Sequence, residues 1–548
     1  MAATATASFR GTGASHTNVY WNGIKINSPM SGEADFSLIP LYFIDDVAIH
    51  FGQSSMSYGS GGLGGSVNLM STPDWSKEVG VKVYQSVGSF DTYSTAAKST
   101  YGKGNLKAQT SVFRELSQNN FNYRNTAKIN RPIEIQQNAD YLKYGILQEV
   151  YYRPDANTML STKVWAQEID RNIPRLMSNY SSNEHNNQFN KSLTAVIDWH
   201  KSFNRFTWKA STGFSHIGLN HVYNISSLEG NEMPVIHAHS ISKSWYNKAS
   251  LSGNIFNWLS TEIQAEFNKH WIDSQEDLTQ SGYVGDQSHN AIRTTLTAMP
   301  IDRLYISLLL ADEGYDGIIT PVSYSLSGKY APLNQKEFFA KVGYSKNYHH
   351  PSLNDLHWQP GGNPNLKSEE GTTFEAGLIY NHHINQNKFS FEINFFSSEI
   401  SDWIMWLPHL KGYWEPVNLS LVKAKGVEIS VISNIKLGEV YLKLIGSYSH
   451  TQSTIINAYR VMSPESHGKQ LPFIPLHSGG LVASSIWRSY HFIYTFTHFS
   501  ERFTTTSNNP NSVIRLTTYY MSSAAIGKEF KSIKTPIAFQ LRIDNLLN

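Results

Sequence analysis

Apolar residues recur at every second position through most of this chain, and no apolar run approaches the roughly 18 residues that a membrane-spanning helix needs. Phe389, Phe391, Ile393 and Phe395 alternate with Ser390, Glu392 and Asn394. Val427, Ile429 and Val431 alternate with Glu428 and Ser430, and Val440, Leu442 and Leu444 with Tyr441 and Lys443. Near the end, Phe539, Leu541 and Ile543 alternate with Gln540, Arg542 and Asp544. Each segment is a strand with one apolar and one polar face. Two architectures accommodate such strands. A soluble sandwich or propeller buries the apolar face, whereas a transmembrane barrel turns it to lipid and keeps the polar face in a wet lumen.

Composition favours the barrel. Charged residues are 16% of the chain, against about 25% in an average globular protein. Aromatics reach 13%, with 30 Tyr and 13 Trp, as interfacial belts require. Trp403-Ile404-Met405-Trp406 reads as a girdle segment at a strand end. Connections alternate in length: Asn381 to Lys388 is a short joint, whereas Asn172 to Phe189 and His409 to Leu421 read as long loops. Short turns at one rim and long loops at the other are the layout of an outer-membrane barrel. The 548 residues suffice for about 22 strands of about 10 residues plus their connections. A net charge of +2 implies no field for nucleic acid. Cysteine is absent, which excludes disulfide scaffolds, thiolate metal sites and cysteine nucleophiles.

The first seventy-odd residues differ. Ten glycines crowd there, from Gly11 to Gly65, and Val19-Tyr20-Trp21 runs through Asn22-Gly23 into Ile24-Lys25-Ile26, a tight hairpin with positive φ at the glycine. Composition changes after Asp74, which places a boundary at about residue 75: residues 1–75 form a compact glycine-rich unit and 76–548 the barrel. Met1 to Ala7 has neither the basic nor the apolar region of a signal peptide, so either the protein is cytosolic or its true N-terminus lies outside the chain.

Phe9-Arg10-Gly11-Thr12-Gly13-Ala14-Ser15-His16, followed by Val19-Tyr20-Trp21-Asn22-Gly23-Ile24, is similar to the "RGT-x-ASH … DG" element of the plug of TonB-dependent outer-membrane receptors. Gly32-Glu33-Ala34-Asp35-Phe36-Ser37-Leu38-Ile39-Pro40 and the stretch from Tyr58 to Leu69 resemble later plug elements. In the barrel, Gly361 to Glu369 resembles the "GNP-x-L-kPE" loop with Ser368 in place of the usual Pro. Gly426-Val427-Glu428, Leu471 to His477 and Asp544 to Asn548 resemble further barrel motifs. The resemblance implies an all-β fold, an antiparallel transmembrane β-barrel of about 22 strands with an N-terminal plug domain in its lumen. It further implies that 1–75 is the C-terminal part of the plug, that the energy-coupling box would precede Met1, and that the closing barrel strand is missing after Asn548.

The same resemblance implies function. The family imports corrinoids, iron–siderophore complexes, haem and some glycans across the outer membrane of Gram-negative-type bacteria, with energy from a TonB-type partner. Thr12, Gly13, Ala14, Ser15, His16, Gly32, Glu33 and Asp35 are then apical plug residues facing the ligand, and their similarity to the vitamin B12 receptor branch leans to a corrinoid over an iron chelate. Arg10 with Glu375 and Glu428 corresponds to the family's plug–barrel lock, here with a single arginine, because Ala48 and Phe51 stand where a Glu and an Arg are usual. The expected protein is a lipid-embedded monomer, without nucleic acid, without cofactor and not an enzyme. No nucleophile elbow, phosphate loop or zinc helix occurs. Nor is a metal expected: in His349-His350 and His382-His383 adjacent strand residues point to opposite faces, and Asp273, Glu276 and Asp277 lack a calcium-loop spacing. A passive porin-like channel and a soluble surface-binding β-protein are the readings from other classes.

Overall fold

The computed structural model describes the chain except residues 1–3, 60, 77, 176, 178–183, 227–230, 334–336, 458–465, 509–514, 532–534 and 548. Ser60 and Asn548 of the sequence motifs thus lie outside the described residues. Strands dominate, and no helix is long and apolar enough to cross a membrane.

The glycine-rich unit holds a four-stranded sheet of β1 (Thr17–Trp21), β2 (Ile24–Lys25), β3 (Asp46–Phe51) and β4 (Gly65–Met70), in the order β2-β1-β4-β3. Strands β1 and β2 form the expected hairpin, with Asn22 at φ 46° and Gly23 at φ 88°, the left-handed pair of a tight I′-type turn. Strand β4 ends at Met70 and the first barrel strand starts at Val79.

Among the described residues the barrel order holds 22 strands, one of which, Ile318–Ile319, is a short pairing on Leu304–Tyr315, a strand that also pairs directly with Ser323–Tyr330. Consecutive strands pair antiparallel with near-continuous register, as in Phe206–Ser226 against Glu232–Phe256. Ile537–Asp544 and Val79–Gly88 stand at the seam of the barrel: the register pairs the first with Tyr519–Phe530 and the second with Thr92–Lys103, in keeping with a closing strand expected beyond Asn548. Outer residues on these two strands are among the most exposed of the barrel, with Val83 72% and Phe539 67% accessible.

The alternation resolves into lipid and lumen. Phe395, Phe214, Trp245 and Ile526 stand exposed on the outer wall, while Glu392, Asn394, Glu428 and Ser430 line a cavity inside the barrel. Aromatic pairs flank the short turns: Phe256 stacks on Trp258 and Trp487 on Tyr490, with ring centroids 5.8 and 6.0 Å apart. Two connections read from sequence as long loops are shorter than expected. Strand Asn387–Pro408 returns as Trp414–Leu437 after five residues, and Glu184–Phe203 begins inside the expected Asn172–Phe189 loop. These strands continue past the apolar belt, where both faces are wet, so period-two alternation fades although the ladder persists.

The plug is packed into this wall. Trp21 meets Trp165 edge-on at 5.3 Å, Phe43 meets Phe113 at 5.2 Å, and Leu63 and Met56 pack against further strands around the lumen. Within the wall, one glycine is needed for space. A Cβ on Gly426 would lie 2.1 Å from the His450 carbonyl oxygen and 2.7 Å from the Phe396 ring. Gly446, in the next strand, has nothing within 4 Å. Gly426→Val is therefore expected to abolish the heat-modifiable gel mobility of the refolded barrel, and Gly446→Val to preserve it.

Candidate functional site

Arg10 and Gly11 both adopt left-handed backbone, φ 55° and 72°, which turns the arginine out of the plug towards the wall. Gly11 fits because it has no Cβ, which would stand 2.7 Å from Ser453 Cβ; Ser453 Oγ donates to the Gly11 carbonyl at 2.8 Å. The guanidinium reaches two barrel carboxylates. Nη1 donates to Glu375 at 2.8 Å, and Nη2 and Nε donate to Glu428 at 2.9 and 3.1 Å. Burial opposes this charge, but Glu375 and Glu428 outweigh burial and hold the arginine's pKa above its ordinary value.

Four further residues complete the lock. The Gln53 backbone N–H donates to Glu375 at 3.2 Å. Gly52, at φ 53°, leaves the space through which Glu375 and Arg10 meet, since a Cβ there would stand 2.3 Å from Arg10 Nη1. Phe396 and Phe51 place their rings 4.9 and 5.9 Å from the guanidinium. Phe51, where the family has an arginine, thus supports the single arginine from its ring face.

A second plug–barrel contact was not legible in the sequence as such. His16 Nε2 and Glu369 Oε2 are 2.6 Å apart, with both side chains buried. The Gly13 N–H points at His16 Nδ1 at 3.1 Å, which assigns the imidazole proton to Nε2 and makes His16 the donor to the carboxylate. The Ile404 N–H donates to the other Glu369 oxygen at 2.6 Å. His349 stands nearby, its Nδ1 donating to the Gly61 carbonyl at 3.1 Å. The ligand atoms of His16, His349 and Glu369 lie within 4.8 Å of one another. A metal on His16 Nε2 would require the proton on Nδ1, where the Gly13 N–H already points, so the donor set fits a hydrogen-bonded latch better than a cation. His350 turns to the opposite side and stacks on Tyr315 at 4.1 Å. His382 bonds Glu337 at 3.1 Å. The carboxylates of Asp273, Glu276 and Asp277 do not converge: Glu276 accepts backbone N–H groups of Leu278 and Thr279, and Asp277 faces His237 at 3.3 Å.

The residues expected at the plug apex divide into two groups. Thr12 is buried, its hydroxyl donating to the Phe9 carbonyl at 2.8 Å, and His16 points into the latch. Asp35 accepts from the Ser37 N–H at 2.9 Å and pairs with Arg171 at 3.0 Å. Thr12 thus holds the plug in shape, and His16 and Asp35 tie it to the wall. Gly13, Ala14, Ser15, Gly32 and Glu33 remain half-accessible. They meet the connection 350–368, whose short helix Leu353–His357 is opened by a reciprocal Ser352–Asp355 cap. Its Leu353 and Asn354 N–H groups donate to the Pro29 and Met30 carbonyls at 3.2 and 2.9 Å. Trp406 donates to Asp355 at 2.7 Å and Tyr283 to Asn354 at 2.8 Å, and His357 and Trp358 pack near Tyr283. Burial, then Asp355 and Asp35, raise the Glu33 carboxyl pKa. The Ser352-Leu353-Asn354-Asp355 spacing is a helix-start signal that could have marked this lid.

Beside the lock lies a lumenal cavity of about 1070 Å³, lined among others by Arg10, Gln53, Glu375 and Glu428. Breaking a buried pair by removing one partner costs about 3–5 kcal/mol, because the other charge stays buried. Arg10→Gln is therefore expected to lower the urea midpoint of plug unfolding, followed by Trp21 fluorescence, and Glu375→Gln with Glu428→Gln to restore part of it. His16→Phe is expected to cost less, about 1–3 kcal/mol, as loss of one buried donor.

Residues 2–66 match the TonB-dependent receptor plug domain, and residues 120–546 match the TonB dependent receptor-like β-barrel. The vitamin B12 transporter BtuB of Photobacterium profundum is 24% identical over 431 residues, 77% of this chain and 65% of that protein. BtuB of Vibrio vulnificus is 25% identical over 448 residues, with the same coverage. The chain thus spans 65% of the length of these curated relatives. Among solved structures, the siderophore receptors PirA and PiuA of Acinetobacter baumannii superpose with TM-scores of 0.75 and 0.76 at 14% and 13% identity, over 98% of this chain and 87% and 86% of theirs. The copper transporter OprC superposes at 0.73 and 14% identity, over 98% of this chain and 85% of its own. At such identities the likeness is one of fold. With a plug match that precedes a barrel match covering most of its length, the chain belongs to the TonB-dependent receptor family.

Proposed function

We propose that this chain is the plug-and-barrel body of an outer-membrane receptor, residues 1–75 and 76–548, that imports a large, scarce ligand, and that the ligand is a corrinoid. The observation that carries the importer reading is a plug fastened inside the lumen by Arg10 and His16 with its accessible turns at the long-loop rim. Such a plug closes a lumen that an open barrel of this size would leave as a channel, which counts against a passive porin. Binding energy alone cannot move a ligand against its gradient, so release of the plug needs work from an energised TonB-type partner. Nothing in the cycle needs covalent chemistry, and no residue is given a catalytic role.

The corrinoid reading draws on the two BtuB relatives and on the Thr12–His16 and Gly32–Asp35 elements. Of those elements, Gly13 to Ser15, Gly32 and Glu33 form the contact surface, and Thr12, His16 and Asp35 shape it. Aromatics of the rim, Tyr283, Trp358 and Trp406, suit a large amphipathic ligand by stacking. A ferric siderophore is the second candidate, since the fold neighbours include siderophore receptors.

The full chain refolded in detergent, titrated with cyanocobalamin and with several ferric siderophores and followed by tryptophan fluorescence, is expected to bind the corrinoid at nanomolar concentration. Ser31→Trp, at an exposed position of the apical turn, is expected to weaken that binding without changing gel mobility. Tight binding of a siderophore alone would overturn the corrinoid assignment. Rapid leak of small solutes from liposomes carrying the protein would overturn the importer reading.

A further inference from the structure

Between the plug and the wall, beneath the apical turn, lies a polar chamber of about 90 Å³. Tyr20 of β1 and Lys25 of β2 face it from the plug, and Asn268, Gln287 and Arg293 face it from the barrel strands Leu259–Glu276 and Ser281–Ile301. Its upper lining is Pro29 and Gly32 of the apical turn, with Pro351 and Ser352 at the start of the 350–368 connection. Gly32 brings no side chain to that edge, where a Cβ would lie 3.3 Å from Ser15 and 3.8 Å from Ser352. The chamber is far smaller than the roughly 300–1,000 Å³ that holds a whole small ligand. It is a few times the roughly 30 Å³ that a water takes in the liquid. It therefore admits one small group of a larger molecule.

Two buried amide side chains are left half-satisfied there. Asn268 donates from Nδ2 to Glu266 at 2.7 Å, but its Oδ1 has no partner among the described residues. The Nε2 of Gln287 likewise has none. The two residues are only 5% and 7% exposed. Asn268 stands opposite His289 and Gln287 opposite His270 on adjacent strands, so the two amides are diagonal neighbours on the inner face. A buried donor or acceptor left unmade is costly, and what this chamber lacks is a group that brings one acceptor and one donor. No net charge is called for. Arg293 pairs with Glu266 at 2.6 Å and with Glu313 at 2.7 Å, and Lys25 lies in the field of the same two carboxylates. Two cations thus stand against two anions, and a further buried charge of either sign would be unbalanced.

We propose that this chamber is a subsite for a neutral carboxamide arm of the imported ligand, whose carbonyl accepts from Gln287 Nε2 and whose NH2 donates to Asn268 Oδ1. An arm reaching past Gly32 enters it from the apical surface. A carboxylate would bring a charge and no donor for Asn268, an ester would bring the acceptor alone, and a hydrocarbon would leave both side chains unmade. Corrinoids carry several carboxamide arms around the macrocycle, and the subsite rests on the corrinoid reading.

The test titrates the full chain, refolded in detergent, with cyanocobalamin, with dicyanocobinamide, whose arms are carboxamides, and with dicyanocobyrinic acid heptamethyl ester, whose arms are esters. Binding is followed by tryptophan fluorescence. The wild type is expected to bind the carboxamide form at least about tenfold more tightly than the ester. Asn268→Leu, which accepts nothing, is expected to abolish that preference. Gln287→Met, which removes a donor unpartnered in the free protein, is expected to weaken both ligands about tenfold while keeping the preference and the heat-modifiable mobility. This second variant tests the subsite even where Asn268→Leu disturbs Glu266. Equal affinity of the wild type for carboxamide and ester, or unchanged affinity in Gln287→Met, would overturn the subsite and leave a chamber that holds water only, with the corrinoid reading still supported by cyanocobalamin binding. Binding of no corrinoid at all would overturn both.

Discussion

The buried contact of Arg10 with Glu375 and Glu428 sets the terms for the rest of the molecule. A guanidinium taken out of water is expensive unless opposite charge and hydrogen bonds are waiting for it. Here both carboxylates come from the wall and the cation from the plug, so neither part can be neutral towards the other. Several local oddities follow from that contact. The left-handed Arg10–Gly11 pair aims the side chain, Gly52 has no Cβ because Glu375 and Arg10 meet beside it, and Gly426 leaves room for the Phe396 ring that faces the guanidinium.

The His16–Glu369 latch works by different physics. It is a hydrogen bond between a neutral donor and a carboxylate that also accepts the Ile404 amide, so burial of the charge is offset by directed dipoles rather than by a countercharge. Together the two contacts join the plug to strands Glu369–Ile384 and Trp414–Leu437. The large lumenal cavity lies beside them, and the apical turns meet the 350–368 connection above. On the opposite side the aromatic packing of Trp21 and Phe43 against Trp165 and Phe113, with the Asp35–Arg171 pair, holds the plug to the wall.

Much of this was legible in the residues because it is local or strongly patterned. Period-two alternation separates lipid from lumen in strands such as Asn387–Pro408, and Asn22-Gly23 announces its turn. Long-range pairing is harder to read. The partner of His16 stands 353 residues away, and nothing near either residue advertises the other. His16 therefore reads as a ligand-facing apex residue when its ring points inward. Phe51 likewise reads as the loss of a locking arginine, whereas its ring sits on the arginine that remains. The extension of strands into the expected Asn172–Phe189 and His409–Leu421 loops went unread because a ladder wet on both faces has no apolar period to detect.

The central claim is that a plug held by buried polar contacts fills this lumen. Conductance of the full chain in a planar bilayer, recorded while urea is raised and then removed, tests it most directly. The account predicts a closed barrel in buffer, reversible opening at a urea concentration well below that which unfolds the barrel, and the same transition in plug tryptophan fluorescence. A large steady conductance in buffer, with the plug folded by fluorescence, would contradict it.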